Sequence, residues 1–168
     1  ISDSKFSPAT WAKIKSSGIT VESGKVTIER SKFENLNVGL KLNEGTKNCS
    51  IARTDFLDCI TGIQSSGGNL KVSNCMFKSN DVGAEIQGSL SPDSFDNCYF
   101  FSHPNMGLYA ETIDTTIIPI SLNNCGFYRN QVAAQSLNRS LAFACSILGY
   151  NNTGIVLNNA KLICGAES

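Results

Sequence analysis

Apolar positions in this chain are set by a repeated spacing. An aliphatic or aromatic residue is followed three positions later by Ser, Thr or Cys, and two positions after that by Phe or Leu. Six or seven residues further there is usually Gly. The copies are Ile1-Ser4-Phe6, Ile28-Ser31-Phe33-Gly39, Ile51-Thr54-Phe56-Gly62, Val72-Cys75-Phe77-Gly83, Phe95-Cys98-Phe100-Gly107, Leu122-Cys125-Phe127-Ala133 and Phe143-Ser146-Leu148-Gly154. The Phe or Leu positions step by 27, 23, 21, 23, 27 and 21 residues. A period in this range marks a solenoid.

Within each copy the apolar spacing is short and strand-like, and no run keeps the three- and four-residue rhythm of an amphipathic helix. The prediction is an all-β solenoid of about seven coils forming one domain over residues 1–168. A single coil cannot bury its own core. Coils stacked at about 4.8 Å pair their strands in parallel and share one interior. Ile1, Ile28, Ile51, Val72, Phe95, Leu122 and Phe143 then form one inward column. Phe6, Phe33, Phe56, Phe77, Phe100, Phe127 and Leu148 form a second, with small residues between the two.

Three residues past the Phe column stand Leu36, Cys59, Asn80, His103, Asn130 and Asn151. Asn at such a place suits a turn, because it tolerates left-handed backbone, and stacked amides can bond along the axis. The following Gly is expected to permit the next bend. Pairs such as Leu40/Leu42, Ile63/Ser65, Ala84/Ile86 and Ile155/Leu157 mark a third strand. Segments 43–49, 64–69, 87–94 and 109–119 take up the variation in length and are expected to be loops.

The succession of coils, over nearly the whole chain, resembles the right-handed parallel β-helix family, the repeat found in pectate-lyase-like enzymes, phage tailspikes and many bacterial surface proteins. The sub-pattern Asn74-Cys75-Met76-Phe77-Lys78-Ser79-Asn80, repeated as Asn124-Cys125-Gly126-Phe127-Tyr128-Arg129-Asn130, resembles repeats of secreted bacterial surface proteins and adhesins. The resemblance implies a right-handed β-helix and an extracellular or cell-surface location. It does not fix an activity, because this scaffold carries many. Both ends of the sequence fall in mid-coil, so the chain reads as a segment of a longer β-helix. The alternative is a short β-helix capped by a partner or by its own segment 7–18.

Composition narrows the function. Lys plus Arg equals Asp plus Glu, 14 each, which argues against a nucleic-acid role. No apolar run is long enough for a membrane span. The seven cysteines include no Cys-x-x-Cys and no Cys/His cluster at zinc spacing, so no metal or other cofactor is expected. Cys75, Cys98 and Cys125 share the small-residue column. Stacked side chains there point the same way, which disfavours disulfides, and buried free thiols are expected.

No catalytic residue is assigned. Arg30 and Arg53 stack on the exterior beside Glu29 and Asp55, either as part of a sugar-acid site or as an exposed charge ladder. The lone His103 stands at the turn column without a catalytic partner, and the polygalacturonase-type Asp-Asp and Gly-His-Gly motifs are missing. Tyr99, Phe101, Tyr128 and Tyr150 flank the Phe column on the exterior. Aromatic faces suit sugar rings, so Tyr99, Phe101 and Tyr128 are the candidate binding residues, with a polysaccharide or a cell-surface or secretion partner as ligand. The other reading has these rings covered by loops or by a partner. Sequons at Asn48, Asn138 and Asn151 are near the chance level of so Asn-rich a chain. The expectation is a non-catalytic surface or adhesin module. The alternatives are a fragment of a polysaccharide lyase, hydrolase or epimerase, or of a phage tailspike.

Overall fold

The computed structural model describes residues 1–7, 16–88, 91–112 and 118–165. Segment 7–18, the possible cap, therefore lies mostly outside the described residues. The described chain is a parallel β-solenoid with three seven-stranded sheets. The coil around Phe77 shows the plan: strands Lys71–Ser73, Met76–Lys78 and Val82–Gln87 follow one another, one in each sheet. The first sheet runs from Thr27–Glu29 to Leu162–Gly165, the second from Lys5–Phe6 to Ile147–Gly149, and the third from Ile19–Gly24 to Thr153–Asn158.

The register holds the sequence columns together. Val72 pairs with Ile51 and Phe95 in the first sheet, and Phe77 pairs with Phe56 and Phe100 in the second. Ala84 pairs with Ile63 and Leu108 in the third. Rings from Phe6 to Phe127 stack with centroids 4.6–5.0 Å apart and planes within 10° of parallel. All of these side chains except Phe6 are fully buried or nearly so. Cys75, Cys98 and Cys125 lie beside the stack as buried free thiols, with Cys49 and Cys59 buried elsewhere in the core. The Cys98 thiol, hydrogen-bonded with the Cys125 and Cys75 thiols and shut away from water, has its pKa pushed well up from the ordinary range.

Three expectations are corrected. The left-handed turn residue is not the Asn80/Asn130/Asn151 column but the one before it: Asn35, Asp58, Ser79, Ser102, Arg129 and Tyr150 all have positive φ. The chain turns there, and the next side chain is directed inward. Asn80 and Asn130 are accordingly buried. Asn80 Oδ1 accepts from the Cys59 N–H at 2.8 Å, and Asn80 Nδ2 donates to the Phe56 carbonyl at 3.0 Å. Asn130 Nδ2 donates to Asn151 Oδ1 at 2.9 Å, so amides do bond along the axis.

The glycines after the Phe column do not serve a bend. Gly39, Gly62, Gly83 and Gly107 lie within third-sheet strands and are absent from the positive-φ residues. A Cβ at Gly83 would sit 2.4 Å from the Gly107 carbonyl oxygen and 2.9 Å from the Phe100 ring. Close approach of coil to coil excludes the methyl group. Finally, all four expected loops begin as strand: Val38–Thr46, Thr61–Ser65, Val82–Gln87 and Met106–Glu111 run into segments 43–49, 64–69, 87–94 and 109–119, the first across a register shift between Val21 and Ser23.

One ionic pair is sealed inside. Arg139 Nη2 lies 2.8 Å from Asp93 Oδ2, both side chains being almost wholly buried. Arg139 also donates to the Ser91 carbonyl at 3.1 Å, and Asp93 Oδ1 accepts from the Leu70 N–H at 2.7 Å. The contact bridges residues 46 apart in sequence, two coils rather than one.

Candidate functional site

The second sheet exposes two columns of side chains between its buried phenylalanines. One is Lys5, Lys32, Asp55, Met76, Tyr99, Gly126 and Ile147; the other is Glu34, Leu57, Lys78, Phe101, Tyr128 and Gly149. The face changes character along the axis. At its start Glu34 bonds Lys32 at 2.8 Å and Lys5 at 3.0 Å, and these bonds hold its carboxyl below the ordinary range. From Met76 onward the face is dominated by apolar and aromatic groups.

All three sequence-predicted binding residues lie on this later part. Tyr99 is 49% exposed, while Phe101 and Tyr128 are half-buried. Two glycines explain how the rings lie. A Cβ at Gly126 would meet Tyr128 Cε2 at 2.7 Å and Tyr99 Cδ1 at 2.9 Å. A Cβ at Gly149 would meet Tyr128 Cδ1 and Cε1 at 3.0 Å. Opposite edges of the Tyr128 ring thus occupy the space above two bare stretches of backbone, and Tyr99 leans over one of them. The rings lie across the sheet instead of standing away from it. Phe101 differs, because the Arg129 guanidinium carbon sits over its ring, 5.7 Å from the centroid. Tyr150, at a left-handed corner of the last coil, is 89% exposed.

Beside this face, at the corner leading in from the first sheet, runs an exposed amide ladder. Asn97 Nδ2 donates to Asn74 Oδ1 at 2.5 Å, and Asn124 Nδ2 donates to Asn97 Oδ1 at 3.2 Å. All three residues are left-handed, where Asn is favoured. Earlier in the same column stand the arginines considered for a sugar-acid site. Arg30 makes a two-point contact with Asp3 at 2.9 and 3.0 Å and also meets Glu29 at 3.0 Å, while Arg53 contacts Glu29 closely. The bond to Arg30 lowers the Asp3 pKa, and burial raises that of Asp55. The two guanidinium groups are thus engaged by carboxylates of their own corner.

His103 takes the place of an amide in the inner ladder. Its N–H donates to Asn130 Oδ1 at 3.0 Å, and its Nδ1 lies 2.8 Å from the Asn80 carbonyl and 3.1 Å from the Asn80 nitrogen. Nε2 is buried and has no hydrogen-bond partner among the described residues. Burial pulls its pKa down to about 4.

Sequence reasoning missed a furrow of about 760 Å³ between the end of the third sheet and the start of the first, lined by Glu44, Lys47, Asn69, Gln87, Glu111 and Thr112 among others. It gathers polar groups from segments that read only as variable loops, so no column signalled it. Among the described residues no three His, Cys, Asp or Glu side chains come together in a way that could hold a metal, and no helix is long and apolar enough to cross a membrane.

No curated protein and no solved structure matches the chain. A family model described as "Right handed beta helix region" matches residues 1–119, more than half of the chain. Together with three parallel seven-stranded sheets, that match identifies the chain as a member of the right-handed β-helix family.

Proposed function

We propose that this chain is a non-catalytic β-helix module of a secreted or surface-exposed protein that holds a carbohydrate polymer against its second sheet. The observation that carries the reading is the pair of tyrosine rings laid over Gly126, with Tyr128 reaching Gly149. Rings lying down offer their faces, and an aromatic face is the surface on which the C–H groups of a sugar ring pack. The polar tip of a tyrosine also bonds hydroxyls. A solenoid repeats such contacts along an axis, which suits an extended ligand. Phe101 supports the site by carrying Arg129.

Cleavage of uronate polymers is not expected. In the column considered for such chemistry, Arg30 and Arg53 are already engaged by Asp3 and Glu29, and the column continues as Asn74, Asn97 and Asn124, which supply neither a base nor a carboxylate. The test is binding to an array of plant, algal and bacterial polysaccharides, repeated with Tyr99→Ala, Phe101→Ala and Tyr128→Ala combined. We expect retained polymer with the native chain and at least about tenfold weaker binding in the triple variant. Binding unchanged in that variant would overturn the face. Release of unsaturated sugars, abolished by Arg53→Ala, would establish a lyase instead.

A further inference from the structure

We infer that the polymer held by this face is anionic, and that Lys78 and Arg129 receive its acid groups. The inference rests on the binding reading above and adds the charge of the ligand. Of the four arginines, Arg30, Arg53 and Arg139 each contact a carboxylate. Arg129 contacts a ring instead, and no carboxylate of the described residues lies within 4.0 Å of it. It follows Tyr128 directly, and its left-handed backbone places it at the exposed corner of the platform.

Lys78 occupies the outward position next to Phe101 on the preceding coil and is likewise exposed, with no described carboxylate in ion-pair reach. Phe101 therefore has one cation beside it in the ladder and another across its ring. Stacking on Phe101 keeps the guanidinium plane from collapsing onto a carboxylate. It leaves paired N–H donors for a carboxylate or a sulfate. A polymer laid along the axis would place sugar rings on Tyr99 and Tyr128. Hydroxyls would fall near Asn97 and Asn124 on one border, and acid groups near Lys78 and Arg129 on the other. The opposite end of the same face balances Lys5 and Lys32 with Glu34 and Asp55, so among the described residues unpaired positive charge on this sheet lies where the aromatics are.

The experiment measures binding of the whole chain to polygalacturonate, to a sulfated galactan and to neutral galactan, at low and high ionic strength. The native chain is compared with Lys78→Gln/Arg129→Gln, with Lys78→Arg/Arg129→Lys, and with Tyr99→Ser/Tyr128→Ser. Thermal melts check folding; the two cations are exposed and their removal should leave the melt unchanged. We expect at least one acidic polymer to bind about tenfold or more above neutral galactan, to be weakened by salt, to be weakened at least about tenfold by the glutamine pair, and to be weakened less by the exchange of the two cations, which keeps both charges but not the guanidinium fork on Phe101. Which acidic polymer binds decides between carboxylate and sulfate. Equal binding of neutral galactan, lost only in the tyrosine variant and indifferent to the glutamine pair, would overturn the charge inference and leave the platform standing. Binding to none of the three would overturn both.

Discussion

At the scale of single residues, buried polar side chains are completed by backbone of their own or the neighbouring coil, as at Ser31, Thr54 and Asn80, or by another side chain, as at Asp93. His103 buries an Nε2 that has no hydrogen-bond partner among the described residues, and it can be titrated. Its pKa of about 4, against an ordinary 6.5, means the folded chain holds a neutral imidazole where the unfolded chain would bind a proton. Between those two pH values the unfolded state binds more protons, so stability rises with pH. His103's contribution is fully present above about pH 6.5, falls as the pH drops, and amounts to about 3 kcal/mol in all. Chemical denaturation of native and His103→Asn chains from pH 7 to pH 4 checks this. The asparagine, completing the ladder as Asn80 and Asn130 do, should lose less stability over that range. Equal losses would assign the acid sensitivity to other groups.

The glycines give a second test at this scale. Gly83→Ala forces a methyl group to within 2.4 Å of a carbonyl oxygen, whereas a methyl at Gly154 would meet nothing within 4 Å. We expect Gly83→Ala to cost about 1–3 kcal/mol and Gly154→Ala to change stability by less than about 0.5 kcal/mol. The same residue type at the same repeat position thus differs by whether another coil lies over it. Ala133, in the same column, shows that the spacing is not identical at every coil.

At the scale of strands and columns, stability should track how many coils cover a position. Phe77 is stacked between Phe56 and Phe100 and has no exposed surface. Leu148 holds the same register on the last coil and is 39% exposed. Phe77→Ala should cost about 3–5 kcal/mol, and Leu148→Ala distinctly less, about 1 kcal/mol on the area it still buries. Urea unfolding of both variants would show the gradient, and equal losses would mean that folding is not shared coil by coil. The columns themselves were legible, because a residue in the Phe column must pack on its equivalents above and below. The strand lengths of the third sheet were not. Segment 43–46 continues a strand because it pairs with Ser23 and Gly24, residues whose strand no sequence column had marked.

At the scale of the whole molecule, one contact ties together coils that are not adjacent. Arg139 reaches past the intervening coil to Asp93 and the Ser91 carbonyl. Removing one partner leaves a charge in a dry interior, so Arg139→Ala should cost about 3–5 kcal/mol. Replacing both, as Arg139→Met with Asp93→Leu, removes the uncompensated charge and should recover much of that loss. Thermal denaturation of the single and double variants checks both statements. A double variant as unstable as the single one would show that the Asp93 bond to the Leu70 N–H, rather than the charge pair, carries the effect.

The repeat period by itself determined that this chain is a stacked solenoid, which columns face inward, and that Cys75, Cys98 and Cys125 share one of them. These follow from a local rule applied at every coil: an apolar residue in an inward position must meet its own kind. Tertiary structure decided what such a rule cannot express. The left-handed corner lies one residue earlier than the asparagines suggested, because direction of turning is a property of backbone, not of side-chain type. The platform was named in sequence as three exposed aromatics, yet only packing against Gly126 and Gly149 laid the tyrosines down, and only the approach of Arg129 covered Phe101. Those outcomes depend on which residues of neighbouring coils come to lie side by side, residues 21 to 28 positions apart in sequence, and a surface position carries no periodic demand that would announce them.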